Sequence, residues 1–249
     1  MSYGYGAPAP PVGGGSSIGG STSSGNSNSS PAQGGSTPSG AFSPPLTDIE
    51  IMARTHALLC SVGFLVLLPL GVLFARYARN FTHTWFWGHA TLQLVVAGPV
   101  IFAGWAQGHT LAGKLGLLAL NDRHQQIGIA LLALYVTQLL LGAFIHLFKM
   151  PALFRGHRPP QNYLHGALGL ALLALAAYQV HYGLTIEWLF TGGLHKVPAS
   201  ALHAWMALII IFWMLYVLGM ALLPRQLARE RAGRQTMRVS AKEGTDVQA

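Results

Sequence analysis

The chemistry in this sequence is carried by histidine. The chain has 11 histidines, against 15 basic and 7 acidic residues in 249. Four of them, His56, His89, His124 and His165, fall one each on four successive apolar segments. An imidazole inside a membrane must find a partner, and an intramembrane ionisable group is a functional one by default. His56 and His124 sit near the starts of the first and third segments, which run in the same direction, so both lie towards one face of a helical bundle. His89 and His165 sit near the starts of the second and fourth, so both lie towards the other face. A single such histidine reads as a helix-packing hydrogen bond. Four of them, paired by depth on alternate helices, ask for more. Two imidazoles from facing helices are what a six-coordinate haem iron takes at its axial positions, and the pattern supplies two such pairs.

The neighbouring residues favour haem over a bare ion. Gly128 follows His124 by four residues and Gly169 follows His165 by four, on the same helix face in each case. A residue without a Cβ leaves room for a flat macrocycle near the backbone, besides letting helices approach closely. Zinc is disfavoured because Cys60, four residues after His56, is the single thiol or carboxylate at ligand spacing from these histidines. A design in which two helices each carry two histidines about 14 residues apart is excluded, since the one such offset, His181 to His195, crosses Gly192-Gly193.

These residues need helices that cross a bilayer. The chain is 51% hydrophobic and 9% charged, where a soluble domain carries roughly a quarter charged residues. Five charge-free windows, Thr55–Ala75, Phe81–Ala106, His124–Phe148, Pro159–Ile186 and Val197–Pro224, each reach the length of about 20 residues that spans a membrane. His109–Leu120, interrupted by Lys114, reads as interfacial or re-entrant. The expected fold is an all-α integral membrane protein with five transmembrane helices, a four-helix dihaem core plus one peripheral helix, and a disordered N-terminal tail. No internal repeat stands out.

Residues 1–45 hold no charge and are mostly Gly, Ser and Pro; such a segment cannot bury enough apolar surface to fold and reads as a tether. It is followed by a transmembrane domain over 46–224 and a basic tail over 225–249. Eleven basic residues gather on one side of the five spans, among them Arg76, Arg79, Lys149, Arg155, Arg158 and the C-terminal run from Arg225 to Lys242, against Arg54, Lys114, Arg123 and Lys196 on the other. The positive-inside bias therefore puts the C-terminus in the cytoplasm and the tail outside, in the plasma membrane or a vesicle. The net charge of +8 is thus a topology signal, and no nucleic-acid partner is expected. The sequon at Asn28 lies on the outer side.

At this point the sequence resembles the cytochrome b-561 family, in the fungal-type branch often fused to an outer DOMON haem domain. The resemblance covers roughly Pro45 to Leu223. It rests on His56 entering a helix that ends Pro69-Leu70-Gly71-Val72-Leu73-Phe74-Ala75-Arg76-Tyr77, on Trp85-Phe86-Trp87-Gly88-His89 with Gln93, on Asp122-Arg123-His124, and on Tyr163-Leu164-His165-Gly166. It implies two b-type haems, His56 and His124 ligating the outer and His89 and His165 the inner. It also implies electron transfer from cytoplasmic ascorbate or a similar small reductant to monodehydroascorbate, a ferric chelate or a partner haem domain, as in a transmembrane ascorbate-dependent or ferric reductase. Many members have a further helix before the first ligand helix, where this chain has its tail.

Ascorbate is an anion, so cations beside the inner pair are its expected contacts: Arg79 and His83 before His89, and Arg158 before His165, the last preferred because similar proteins place a basic residue there. Topology alone also explains such residues. His146 is a candidate partner for a haem propionate. Trp85, Trp87, Trp188 and Trp205 fit an interfacial belt. The expected partners are the lipid bilayer, the reductant, an outer haem domain and, as an allowed assembly, a second copy of the chain. The competing reading is a cofactor-free, histidine-lined transporter or proton channel, but transport sites gather near the midplane, whereas these histidines favour the two faces and the charge-free windows hold no acid.

Overall fold

The computed structural model describes residues 44–117, 119–148, 159–191, 193 and 195–246. Five helices are long and apolar enough to cross a membrane: α1 (Asp48–Ala78), α2 (Trp85–Lys114), α3 (Arg123–Leu147), α4 (Pro160–Thr185) and α5 (Ala199–Met220). A short 3-10 turn, Glu187–Thr191, follows α4, and α6 (Leu223–Asp246) continues the chain after α5. The all-helical fold with five membrane-spanning helices is the expected one. The Asn28 sequon, Lys149, Arg155 and Arg158 lie outside the described residues.

Local chemistry sets the helix ends. The Thr47 side chain accepts from the Glu50 N–H at 3.2 Å while the Thr47 N–H donates to Glu50 Oε2 at 2.9 Å, a capping box that starts α1. Asp122 Oδ2 caps α3 by accepting from the Gln125 N–H at 2.9 Å. Pro160 opens α4, where a missing N–H costs nothing. α2 runs on to Lys114 and is closed by Gly116 at φ 70°, a left-handed stop that glycine adopts freely. This corrects the expectation for His109–Leu120: His109 to Lys114 are the last turns of the second span, not a separate interfacial piece. Similarly, α1 starts at Asp48, seven residues before the first charge-free window, so Asp48 and Glu50 belong to its first turn.

α1 and α2 each contain one widened, π-helical stretch, Val62–Leu67 and Thr91–Ala97. In both, a proline stands two residues beyond it, Pro69 and Pro99. Proline has no N–H to give and its ring crowds the carbonyl one turn back; a turn holding one extra residue relieves that crowding.

The lipid removes the hydrophobic drive between helices, so close packing and polar cross-links hold the bundle. Phe64, Leu68, Ala97, Ile101, Leu131, Tyr135, Leu172, Leu173, Ala176 and Phe212 form the shared core of all five spans. Gly63 lets α1 meet α2: a Cβ there would come within 2.6 Å of Ile101 Cγ1. Gln93 donates to the Leu68 carbonyl at 3.1 Å, and the buried Tyr135 hydroxyl donates to the Gln93 carbonyl at 2.6 Å, joining α1, α2 and α3. α5 is peripheral. It is tied to α4 by Trp205 Nε1 donating to the Ala177 carbonyl at 2.9 Å and to α1 by the Tyr77 hydroxyl donating to the Leu215 carbonyl at 2.6 Å. Arg229 of α6 donates to the Asn80 carbonyl, docking α6 on the α1–α2 loop.

Candidate functional site: two histidine pairs

The four helices that carry His56, His89, His124 and His165 bring them together in twos. The ring centroids of His56 and His124 are 6.0 Å apart at an interplanar angle of 77°, towards the face where α1 begins. Those of His89 and His165 are 6.5 Å apart at 86°, towards the opposite face. The pairing is the one that depth along alternate helices requires.

His56 Nδ1 lies 2.7 Å from the Gly104 carbonyl oxygen and His89 Nδ1 lies 2.9 Å from that of Gly71. A carbonyl can only accept, so each Nδ1 donates and Nε2 is left with its lone pair, which is the tautomer a metal-binding imidazole needs. The contact is reciprocal: α2 orients the histidine of α1, and α1 that of α2. His124 Nδ1 lies 3.0 Å from Gln179 Nε2, which also donates to the His124 carbonyl at 2.6 Å. Gln138 Nε2 donates to the His165 carbonyl at 2.8 Å. Here too the partners are exchanged, now between α3 and α4.

Clearance at the rings comes from glycines that sequence reasoning did not single out. A Cβ on Gly108 would stand 2.6 Å from His56 Cε1, one on Gly183 would stand 3.0 Å from His124 Cε1, and one on Gly142 would stand 3.2 Å from His165 Cε1. Gly128 and Gly169 face the glutamines of the opposite helix instead, with Cβ positions 3.6 Å from Gln179 Nε2 and 2.9 Å from Gln138 Nε2. The sequence does contain the signal that finds these residues. His124, Gly128, Gln138 and Gly142 recur on α4 as His165, Gly169, Gln179 and Gly183, with the same offsets of 4, 14 and 18 residues. This is an internal repeat, inverted by the antiparallel run of α3 and α4, and it corrects the expectation that the chain has none. On α1 and α2 the corresponding offset, His56 to Gly71 and His89 to Gly104, is 15, longer by the one residue that a π turn inserts.

The residues present fit a bis-imidazole iron. Taking about 2 Å per metal–nitrogen bond, two imidazoles on one metal place their ring centres roughly 6 Å apart, the separation found at both pairs. Among the described residues no cluster of three or more His, Cys, Asp or Glu side chains could hold a bare metal ion.

Near the pair formed by His89 and His165, the Arg79 guanidinium lies 4.2 Å over the Trp85 ring. His83 is exposed in the loop before α2. His146 stacks on Phe86, centroids 3.6 Å apart and 6° from parallel. At the other end, His109 stacks on Trp105 at 5.4 Å and His181 lies against Trp205 at 4.6 Å.

A bundle of membrane helices that buries one histidine pair towards each end is the class of protein that this fold and site define. The chain belongs to the eukaryotic cytochrome b561 family, which matches residues 55–191. It is similar to cytochrome b561 and DOMON domain-containing proteins of Arabidopsis thaliana. One is 31% identical over 134 residues, or 53% of this chain and 32% of the relative. A second is 26% identical over 155 residues, covering 61% and 31%, and a third is 30% identical over 158 residues, covering 60% and 37%. The chain thus spans about a third of the length of these relatives. No solved structure matches it.

Proposed function

We propose that the chain carries electrons across its membrane through two b-type haems, an outer one held by His56 and His124 and an inner one held by His89 and His165. The observation that carries this reading is the meeting of four histidines in two pairs, 6.0 and 6.5 Å between centroids, at opposite ends of one bundle. When bound, each haem supplies a one-electron Fe(III)/Fe(II) couple. The chain's own part is to fix the ligands. The Gly104 and Gly71 carbonyls hold the His56 and His89 rings by Nδ1, and Gly108, Gly142 and Gly183 keep the space against the rings clear.

The basic loops support a cytoplasmic position for the inner pair. Its donor is ascorbate or a similar anionic reductant, received by Arg79 and His83 at the mouth of the inner pair together with Arg158. The acceptor at the outer face is monodehydroascorbate, a ferric chelate or a haem domain. The DOMON domain in the names of the Arabidopsis relatives supports the last of these, with the Gly/Ser-rich tail serving as the tether. The activity is that of an oxidoreductase.

The test is a reduced-minus-oxidised absorbance spectrum of the purified chain with pyridine haemochrome quantitation. Two b-type haems per chain, falling to one in His56→Ala or His89→Ala, and reduction by ascorbate are the expected results. Folded protein from haem-replete cells that carries no haem would overturn the reading in favour of a histidine-lined transporter.

A further inference from the structure

Two of the four ligand rings have their Nδ1 hydrogen taken by a backbone carbonyl, and two do not. His165 Nδ1 is buried without a hydrogen-bond partner, and so are Gln138 Oε1 and Gln179 Oε1. A buried polar atom left unpaired is costly, and these three belong to, or lie on helices facing, the ligand histidines of α3 and α4. A neutral imidazole that binds a metal through Nε2 keeps its hydrogen on Nδ1 and needs an acceptor there. At His165 the unpaired acceptor close by is Gln138 Oε1, on the amide whose Nε2 already grips the His165 carbonyl at 2.8 Å. At His124 the Gln179 amide nitrogen stands 3.0 Å from Nδ1 and 2.6 Å from the His124 carbonyl, so presenting Oε1 to Nδ1 takes a rotation of the amide that releases that carbonyl.

We infer that Gln138 and Gln179 are matched positioning residues, each amide oxygen accepting the Nδ1 hydrogen of the ligand on the opposite helix, and that they set the potentials of the inner and outer haem separately. The inference rests on the dihaem reading and adds to it the pair of side chains by which each site is tuned. The inverted repeat carries it: the offset of 14 residues from histidine to glutamine occurs once on α3 and once on α4, so each helix supplies one ligand to one site and one acceptor to the other. An acceptor on Nδ1 makes the imidazole a stronger donor to the metal and so favours the oxidised, more positive iron; a carboxylate acceptor does so more strongly than an amide. His56 and His89 rely on main-chain carbonyls, which evolution cannot grade by substitution. The glutamines are the adjustable half.

The experiment uses the full chain with Gln138→Met, Gln138→Glu, Gln179→Met and Gln179→Glu, haem quantitation and a spectroelectrochemical titration. Gln138→Met, which keeps the volume and removes the acceptor, raises the potential of the haem that His89→Ala removes, by about tenfold in its reduction equilibrium, which is 59 mV for one electron. Gln138→Glu lowers the same potential, and the other haem stays within error. Gln179 behaves the same way towards the haem that His56→Ala removes. A purely packing role would move Met and Glu in one direction or empty the site in both, and either result overturns the inference, as does no shift. Wild-type chain that binds no haem fails the dihaem reading itself, so the two failures are told apart before any titration.

Discussion

Glu50 and His195 join the start of α1 to the loop before α5 across 145 residues of sequence. Glu50 is fully buried, and its Oε1 accepts from both the His195 backbone N–H and Nδ1 at 3.0 Å. His195 Nε2 lies 3.0 Å from the Pro44 carbonyl, and the His195 carbonyl accepts from Trp188 Nε1 at 2.8 Å. Both ring nitrogens of His195 thus face oxygen acceptors. Because the two side chains act as one unit, Glu50→Ala and His195→Ala are expected to be non-additive. Each lowers the melting temperature in detergent and opens the loop around His195 to protease, and the double variant loses no more than the worse single one.

The ring clearances order a second set of effects. The gap that an added Cβ would leave to the neighbouring ring narrows from 3.2 Å at Gly142 through 3.0 Å at Gly183 to 2.6 Å at Gly108. On the dihaem proposal, Gly108→Ala is expected to strip the outer haem, taking haem content from two to about one per chain, because a displaced imidazole no longer presents Nε2 to the iron. Gly183→Ala weakens the same site less and Gly142→Ala leaves the inner site nearly full. Pyridine haemochrome measurement of the three variants checks the order.

Tyr135 is the junction of three helices and is 2% exposed. Tyr135→Phe removes its hydrogen bond to the Gln93 carbonyl without opening a cavity. It is expected to cost about 1–2 kcal/mol of stability while haem content stays at the wild-type value, as read from thermal denaturation and the haem spectrum together.

Glu187, just beyond the end of α4, has its carboxyl pushed above the usual range by burial, with the nearby Asp122 charge adding to the effect. For an acid with a raised folded pKa, the folded chain holds its proton longer than the unfolded one. Its contribution to stability is complete below the ordinary carboxylate pKa of about 4.3 and is lost as pH rises through the folded value. Glu187→Gln should therefore raise the melting temperature at neutral pH, change it little at acid pH, and flatten the pH dependence between. A variant equally stabilised at both pH values would place the effect in something other than this titration.

Much of this was legible in the residues. Hydropathy and helix direction alone pair His56 with His124 and His89 with His165, because a helix crossing a bilayer has few ways to place a residue near its start. The limits of α1 and α2 were not, since Asp48, Glu50 and Lys114 interrupt the apolar text while the backbone bonds run on. The orienting groups escaped for a different reason. Two of them are carbonyls of glycines, which have no side chain to read, and their partners lie on other helices. Gln138 and Gln179 were readable in principle through the recurring offsets of 4, 14 and 18, but a repeat of four letters spread over 19 residues is faint unless the antiparallel packing of α3 and α4 is already known.

The exchange of partners between antiparallel helices has a consequence for how alike the two ends of the bundle are. Each histidine pair is assembled by the same device turned upside down, so the backbone plan makes the two ends alike and leaves any difference between them to side chains. That difference is plain at the two ends, where Arg79 and His83 stand at one and Asp122 and Glu187 at the other.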